Sequence, residues 1–388
     1  NNDYPPPRQT HNVANTVKSR ENNFDLLRVI CAFAVIVIHV SAQFVGAITS
    51  DPMYEGVCFD HILNDALYNG LSRFAVPCFV MLSGAFLLDN DRNADFSQFY
   101  RKSFKKLLIP VFVFSIIYFL YDYVLLIGKI FVLHKEVLSI AILLEPVKQL
   151  IAGAPFYHMW YMYMLIGLYA LVPMVIRLKN EIGFDRFEKL AYIFIVVASL
   201  AGWFAAQKIN WDPGMSFRYL GYLMIGYVLR KRCYENNARA LVFIVSGLLI
   251  ETINSFLRYH QILQRIAEGD SVYNLYAPHA PLVVISSVLL FAGFAYLKTN
   301  ISIPRLASAS FVIYLVHAGI LSCIQIISSP KFFALYDVTG DTRVIIPLVS
   351  IMTFMLSFIC AELYNILWNK FEKNTDISNR LCRLIWRN

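Results

Sequence analysis

The feature that most constrains the fold is an apolar stretch at residues 24–46, FDLLRVICAFAVIVIHVSAQFVG. A stretch of about 20 apolar residues is long enough to cross a bilayer as a helix. It nevertheless contains Arg28 and His39, with Asp25 at its start. The spacing of Arg28 and His39 is about three helical turns, so both side chains lie on one stripe, about 16 Å apart along the axis. Asp25 precedes Arg28 by one turn and is within ion-pair reach.

This polar stripe has two interpretations. An ionisable group in hydrocarbon costs a few kcal/mol and is usually retained for a function. The alternative is that Arg28 and His39 only hydrogen-bond to neighbouring helices. Imidazole titrates near neutral pH, which suits it to proton abstraction. We therefore predict that Asp25, Arg28 and His39 belong to a catalytic site.

The composition extends the membrane assignment to the whole chain. Of the 388 residues, 58% are hydrophobic and only 15% are charged, whereas soluble domains carry about 25% charged residues. We predict an all-α, polytopic membrane protein with about ten transmembrane helices and no internal repeat. The predicted spans are 24–46, 66–88, 103–127, 156–176, 190–207, 216–229, 240–257, 279–297, 308–328 and 344–368.

The distribution of basic residues predicts the orientation. With the N-terminus inside, the inner segments carry 23 Lys and Arg residues and the outer segments carry 10. Cytoplasmic loops are enriched in Lys and Arg, so both termini are expected in the cytoplasm. This topogenic excess accounts for most of the net charge of +8, so no nucleic-acid partner is implied.

The chain divides into one membrane domain and two tails. We expect a disordered cytoplasmic tail at 1–22, a transmembrane domain at 23–369 and a basic cytoplasmic tail at 370–388. The seven cysteines show no paired spacing, so neither a disulfide framework nor a metal site is predicted.

Four motifs, in order, resemble the acyltransferase-3 family of bacterial multi-spanning membrane acyltransferases. The first is Asp25-Leu-Leu-Arg28 followed after ten residues by His39. The others are RFAVP with SG at 73–84, HMWY at 158–161 and SFVIYLVH at 310–317. Together they cover about residues 23–368.

The resemblance implies an O-acetyltransferase that uses acetyl-CoA and acts on a cell-surface or lipid-linked carbohydrate in the bacterial inner (plasma) membrane. It also implies that His39 is catalytic and that no metal takes part. A basic cluster at an inner helix end would bind the phosphates of the donor, with Arg101 and Lys105 the best matches to the family. The alternative for the cluster is membrane anchoring and contact with lipid headgroups. Its members are Arg101, Lys102, Lys105 and Lys106.

Further residues are candidates for the acceptor site, each with a structural alternative. Ser310, Tyr314 and His317 share one helical face and either pack between helices or line the cavity of His39. Arg73 is expected to begin the second span on the outer side, and Glu251 lies in the outer half of its own span. The complete set is Arg73, His158, Trp160, Tyr161, Glu251, Ser310, Tyr314 and His317.

A second functional class fits the same spans and intramembrane charges. A carrier or flippase for a lipid-linked sugar or small anion would use Arg28 and His39 as a relay. The lack of an internal repeat and the matched motifs count against it.

Overall fold

The computed structural model describes residues 21–50, 59–132, 138–205, 215–268, 275–328 and 341–385. Throughout these ranges the regular secondary structure is helical, which confirms the all-α prediction. Most of the predicted N-terminal tail lies outside the described residues. The α-helices are α1 (Asn22–Ser50), α2 (Phe59–Gly70), α3 (Ala75–Leu87), α4 (Phe96–Ser103), α5 (Ile109–Ile127), α6 (Ile140–Leu143), α7 (Glu145–Ile151), α8 (Trp160–Ile182), α9 (Phe184–Ala205), α10 (Met215–Arg232), α11 (Asn237–Glu268), α12 (Pro281–Tyr296), α13 (Pro304–Ser328) and α14 (Thr342–Ile385).

Seven segments of the described chain are long and apolar enough to cross a membrane. They confirm a polytopic membrane protein, and each coincides with a predicted span. The other three predicted spans coincide with the helices α9, α10 and α12, so the total of ten stays a prediction. The seven segments are Asn22–Ala42, Ile62–Leu87, Phe96–Phe131, Trp160–Ile182, Asn237–Gln264, Pro304–Ile326 and Thr342–Trp368.

The second span is broken near its middle, which corrects the position of Arg73. The apolar segment begins near Ile62, and residues 71–74 form turns between α2 and α3. The prediction that Arg73 begins this span is therefore wrong, because the arginine lies at an internal break. Backbone bonds from Arg73 N to the Gly70 carbonyl (3.0 Å) and from Ala75 N to the Ser72 carbonyl (3.1 Å) satisfy polar groups there.

The third span contains a π-helix close to its predicted basic cluster. α4 begins after Asp95, whose carboxylate accepts a hydrogen bond from the Gln98 backbone N–H at 2.9 Å. The chain then passes through a π-helix at Phe104–Leu108 into α5. Because a π-helix has a wider turn, it changes the direction of the side chains that follow, and such turns are frequent at functional sites.

α3 and α10 cross in the centre of the protein at two glycines. A Cβ atom on Gly84 would lie 1.7 Å from the Leu223 carbonyl oxygen, and one on Gly226 would lie 2.0 Å from the Met81 carbonyl oxygen. Because each glycine lacks a side chain, the backbone of the opposite helix can lie directly against it. Small residues allow this kind of approach between membrane helices, so Gly84 has a packing role at this contact.

Ion pairs connect the inner ends of several helices. Arg230 at the end of α10 pairs with Asp89 at 2.9 Å and with Glu21, while Lys231 pairs with Asp89. Arg232 reaches Glu188 of α9 at 2.6 Å. These three consecutive basic residues therefore join helices to one another, and their charges are already matched by carboxylates.

Candidate active site

The stripe on α1 is formed as predicted at its inner end. Arg28 Nη1 donates a hydrogen bond to Asp25 Oδ1 at 2.9 Å, and its guanidinium lies 5.7 Å from the centre of the Phe86 ring. Asp25 is buried and Arg28 is partly exposed. His39 lies three turns farther along the same helix, about 16 Å outward. The site therefore extends along α1 from a cation near the start of the helix to an imidazole three turns farther on.

Three histidines from distant parts of the chain form the histidine cluster, namely His39, His158 and His317. The His39 and His317 rings are stacked with their centres 5.3 Å apart and an angle of 27° between their planes. His158 packs edge-on against His317 at 5.0 Å. Tyr157 packs edge-on against His39 at 4.9 Å. The structure thus brings two of the predicted acceptor-site residues to the predicted catalytic histidine.

Backbone carbonyls hold two of these rings in a defined orientation. His317 Nδ1 lies 2.6 Å from the Tyr314 carbonyl oxygen, and His158 Nε2 lies 3.3 Å from the Leu315 carbonyl oxygen. A carbonyl only accepts, so each of these ring nitrogens is the donor. The other nitrogen of each ring is buried without a hydrogen-bond partner among the described residues. Both neutral imidazoles therefore keep an unused acceptor inside the protein.

Two tyrosines connect the segments that carry these histidines. The Tyr314 hydroxyl donates to the His158 carbonyl at 2.7 Å. The Tyr118 hydroxyl donates to the Leu315 carbonyl at 2.7 Å and accepts from Gly319 N at 3.1 Å. The positions of His158 and His317 are consequently coupled by direct hydrogen bonds between α13, α5 and the turn before α8.

A cavity of about 320 Å³, called the inner cavity because it lies toward Arg28 at the predicted inner end of α1, is found between Arg28 and the histidine cluster. Its charged lining residues are Arg28 and Lys106, and most of the remaining wall is apolar. At its far end it reaches Tyr314, which is one turn of α13, about 4.5 Å, before His317. The lining residues that were predicted to belong to the site are Arg28, Lys106, Tyr161, Ser310 and Tyr314.

An outer cavity of about 510 Å³ lies on the other side of the cluster. It is bounded by α5, α6, α7 and the turn before α8. Tyr157 is part of its wall and also contacts His39. Its polar lining residues are Asp122, Lys129, Glu145, Lys148, Gln149 and Tyr157.

The predicted donor-binding cluster divides between two surfaces. Arg101, Lys102 and Lys105 line an open groove of about 660 Å³. Lys106 lines the inner cavity instead. The π-helix at Phe104–Leu108 carries Lys105 and Lys106 and directs them to different surfaces. The basic groups therefore surround the inner approach to the cavity.

Arg73 and Glu251 belong to a buried polar group beside His39. Asn69 donates to the Ile38 carbonyl at 3.1 Å and to Ser41 Oγ at 2.9 Å, and it accepts a hydrogen bond from Arg73. Arg73 interacts electrostatically with both His39 and Glu251. Glu251 accepts a hydrogen bond from Ser286 Oγ at 2.9 Å. The break between α2 and α3 thus brings an arginine to the predicted base.

Some residues of the site were not predicted, and one predicted residue lies elsewhere. Tyr157 and Tyr118 contact the cluster directly but were not selected from the sequence. Tyr157 precedes the HMWY motif, and that position was the available signal. Trp160 packs against Tyr161 and Tyr219, with ring centres 6.2 and 6.3 Å away, and lines neither cavity.

Comparison with known proteins identifies the family of the chain. The family model described as an acyltransferase domain matches residues 21–362, which include every residue of the histidine cluster and both cavities. No curated protein and no solved structure matches the chain. Among the described residues, no group of three or more His, Cys, Asp or Glu side chains is arranged to hold a metal ion. The chain belongs to the acyltransferase-3 family.

Proposed function

We propose that this membrane acyltransferase moves an acetyl group from cytoplasmic acetyl-CoA to a hydroxyl of a cell-surface or lipid-linked carbohydrate. The observation that carries the proposal is the position of the histidine cluster between an inner and an outer cavity. A donor and an acceptor that approach from opposite sides of a membrane need such an arrangement. Both termini would face the cytoplasm of a bacterial inner membrane.

The inner cavity has the chemistry expected for the donor. The pantetheine arm of acetyl-CoA is narrow and largely uncharged, which suits a mainly apolar channel. The phosphates of the donor would remain at the inner mouth, near Arg101, Lys102 and Lys105. Arg28 and Lys106 would hold the entering part of the arm. The thioester would then lie beyond Tyr314, next to the histidines.

His39 is the proposed general base. It takes the proton of the acceptor hydroxyl while that oxygen attacks the thioester carbonyl carbon. The new C–O bond forms and the C–S bond breaks, and the proton passes from His39 to the departing CoA thiolate. The separation of about 16 Å from His39 makes Arg28 a donor-positioning residue instead of a group that stabilises charge on the reacting carbonyl.

The carrier hypothesis has less support. The residues that would form its relay, Arg28 and His39, are separated along α1, and a cavity that is mostly apolar lies between them. Membership of an acyltransferase family is the direct argument for group transfer. Release of free CoA that depends on an acceptor would distinguish acyl transfer from transport.

Substitution of His39 tests the proposal. His39→Gln keeps a polar side chain but loses the base, and we expect a 10²–10⁴-fold fall in the transfer rate. Acetyl-CoA affinity should stay unchanged, since the donor is held at the inner cavity. Trp160→Phe is a suitable control, because the Trp160 ring packs against Tyr161 and Tyr219 instead of the histidine cluster. Near-normal transfer by a well-folded His39→Gln variant would exclude His39 as the base.

A further inference from the structure

Asp122 is a carboxylate within a span of this protein. It lies on α5, inside the apolar segment Phe96–Phe131, and lines the outer cavity. Charged residues at such positions are costly and usually serve a pathway or a binding site. Among the described residues no hydrogen bond engages its carboxylate, although Lys129 interacts with it electrostatically. Asp122 therefore offers hydrogen-bond acceptors to a molecule in the outer cavity.

The charges around Asp122 indicate a neutral ligand. The outer cavity contains two carboxylates and two ammonium groups. Lys148 pairs with Glu145 at 3.6 Å, and Lys129 lies near Asp122. Each positive charge thus has a negative neighbour, so the cavity has no excess charge with which to select an anion or a cation.

Part of the wall of the outer cavity is aromatic. Phe156 and Tyr157 both line it, and their ring centres lie 4.9 Å apart. A wall of this kind together with a few polar groups is typical of a small-molecule site. A sugar ring has one apolar face and a rim of hydroxyls, and these match the aromatic wall and the Asp122 carboxylate respectively.

Tyr157 places this cavity next to the reaction centre. Its side chain is 46% exposed, and its ring contacts His39 edge-on at 4.9 Å. A ring bound against Tyr157 therefore lies only one side chain away from the proposed base. A hydroxyl of the bound sugar would pass the edge of Tyr157 to reach His39, while others would face α5.

We propose that the outer cavity is the acceptor subsite, in which Asp122 accepts hydrogen bonds from hydroxyls of a neutral sugar ring that packs on Tyr157. The inference rests on the proposed function, and it adds both a binding residue and the charge class of the acceptor. Asp122 is a substrate-binding residue in this proposal and takes no part in proton transfer.

Acetylation of simple sugars tests the subsite. Purified protein is supplied with radiolabelled acetyl-CoA and with the methyl hexosides of glucose, galactose and mannose, and the best acceptor becomes the probe. Asp122→Ala should lower kcat/KM for that hexoside about 10- to 100-fold, the effect of losing a hydrogen bond to a charged group. KM for acetyl-CoA should not change. Asp341→Ala is the matched control, because Asp341 is a carboxylate that lies outside the outer cavity.

Deoxy analogues of the probe identify the contact. One of them should lose rate with the wild-type protein but lose nothing further with Asp122→Ala, which is the signature of a direct interaction. Equal acceptor kinetics for Asp122→Ala and wild type would overturn the subsite. A wild-type protein that acetylates native membrane glycans but none of the hexosides would refute the neutral-sugar subsite alone. Failure with both acceptors would refute the proposed function as well.

Discussion

The crossing of α3 and α10 provides a sharp test of how helix packing supports the donor site. In Gly84→Ala the new methyl group would lie 1.7 Å from the Leu223 carbonyl oxygen, whereas ordinary contact begins at 3.4 Å. The obstacle is backbone, so no side-chain rotation relieves the clash. The two helices must instead separate by roughly 1.5 Å, which interiors at crystal-like packing density resist.

The expected change in the free energy of unfolding of Gly84→Ala follows from two opposing effects. Overpacking costs about 1–3 kcal/mol, and a clash with backbone belongs at the upper end. Replacing a helical glycine by alanine stabilises the helix by about 1 kcal/mol, because alanine has the higher helix propensity. The net loss of stability is therefore about 2 kcal/mol. α3 also supplies Phe79, Ser83 and Phe86 to the inner cavity, so its displacement should weaken acetyl-CoA binding.

Thermal unfolding in detergent and titration with acetyl-CoA measure the two effects. Gly128→Ala is the matched control, since a Cβ there would meet nothing within 4 Å. That variant should unfold at or slightly above the wild-type temperature and bind the donor normally. If Gly84→Ala matched wild type in both measurements, the close crossing would not support the cavity and the reasoning would be refuted.

Two predictions concern the inner ends of the helices. Arg230→Met should lower stability by about 1.5–3 kcal/mol in denaturant unfolding, because the buried Asp89 loses its hydrogen bond to Arg230 but keeps its ion pair with Lys231. Arg305→Met is the control, because Arg305 is exposed. This variant should lower stability by at most about 1 kcal/mol. Partial burial acts to raise the pKa of Asp91, but hydrogen bonds from Lys179 and Asn180 outweigh it and the pKa falls below its ordinary value. The depressed pKa stabilises the fold above about pH 4, and this stability is lost as pH falls further. Asp91→Asn should therefore reduce acid sensitivity, and an unchanged pH profile of unfolding would contradict the assignment.

Local spacing was sufficient to predict the part of the site that lies on one helix. Asp25 and Arg28 are one turn apart, and the structure joins them at 2.9 Å. The position of His39 relative to Arg28 also follows from helical geometry alone. The lengths of the apolar segments likewise predicted where the spans lie, because a bilayer fixes the length of a helix that crosses it.

Contacts between segments that are distant in sequence could not be predicted from the periodicity of the residues. His158 and His317 are far from His39 in sequence, and only tertiary packing places their rings against one another. The break at Arg73 was missed because the apolar character continues across it, although Asn69-Gly70 followed by Pro77 was a signal for one helix ending and another beginning. Which basic residues at the inner face pair with carboxylates also depends on contacts between helices.

The aromatic layer between the two cavities has a consequence for the membrane itself. Tyr161 and Tyr314 pack together at 5.0 Å where the inner cavity ends, and Tyr157 closes the outer cavity against His39. A protein with a cavity on each face would let ions leak down their gradients across the membrane if the two cavities joined into one continuous column of water. The packed rings of this layer lie between the two cavities and oppose such a continuous column of water. In the proposed reaction, the layer that surrounds the reacting groups would therefore also preserve the electrical insulation of the bilayer.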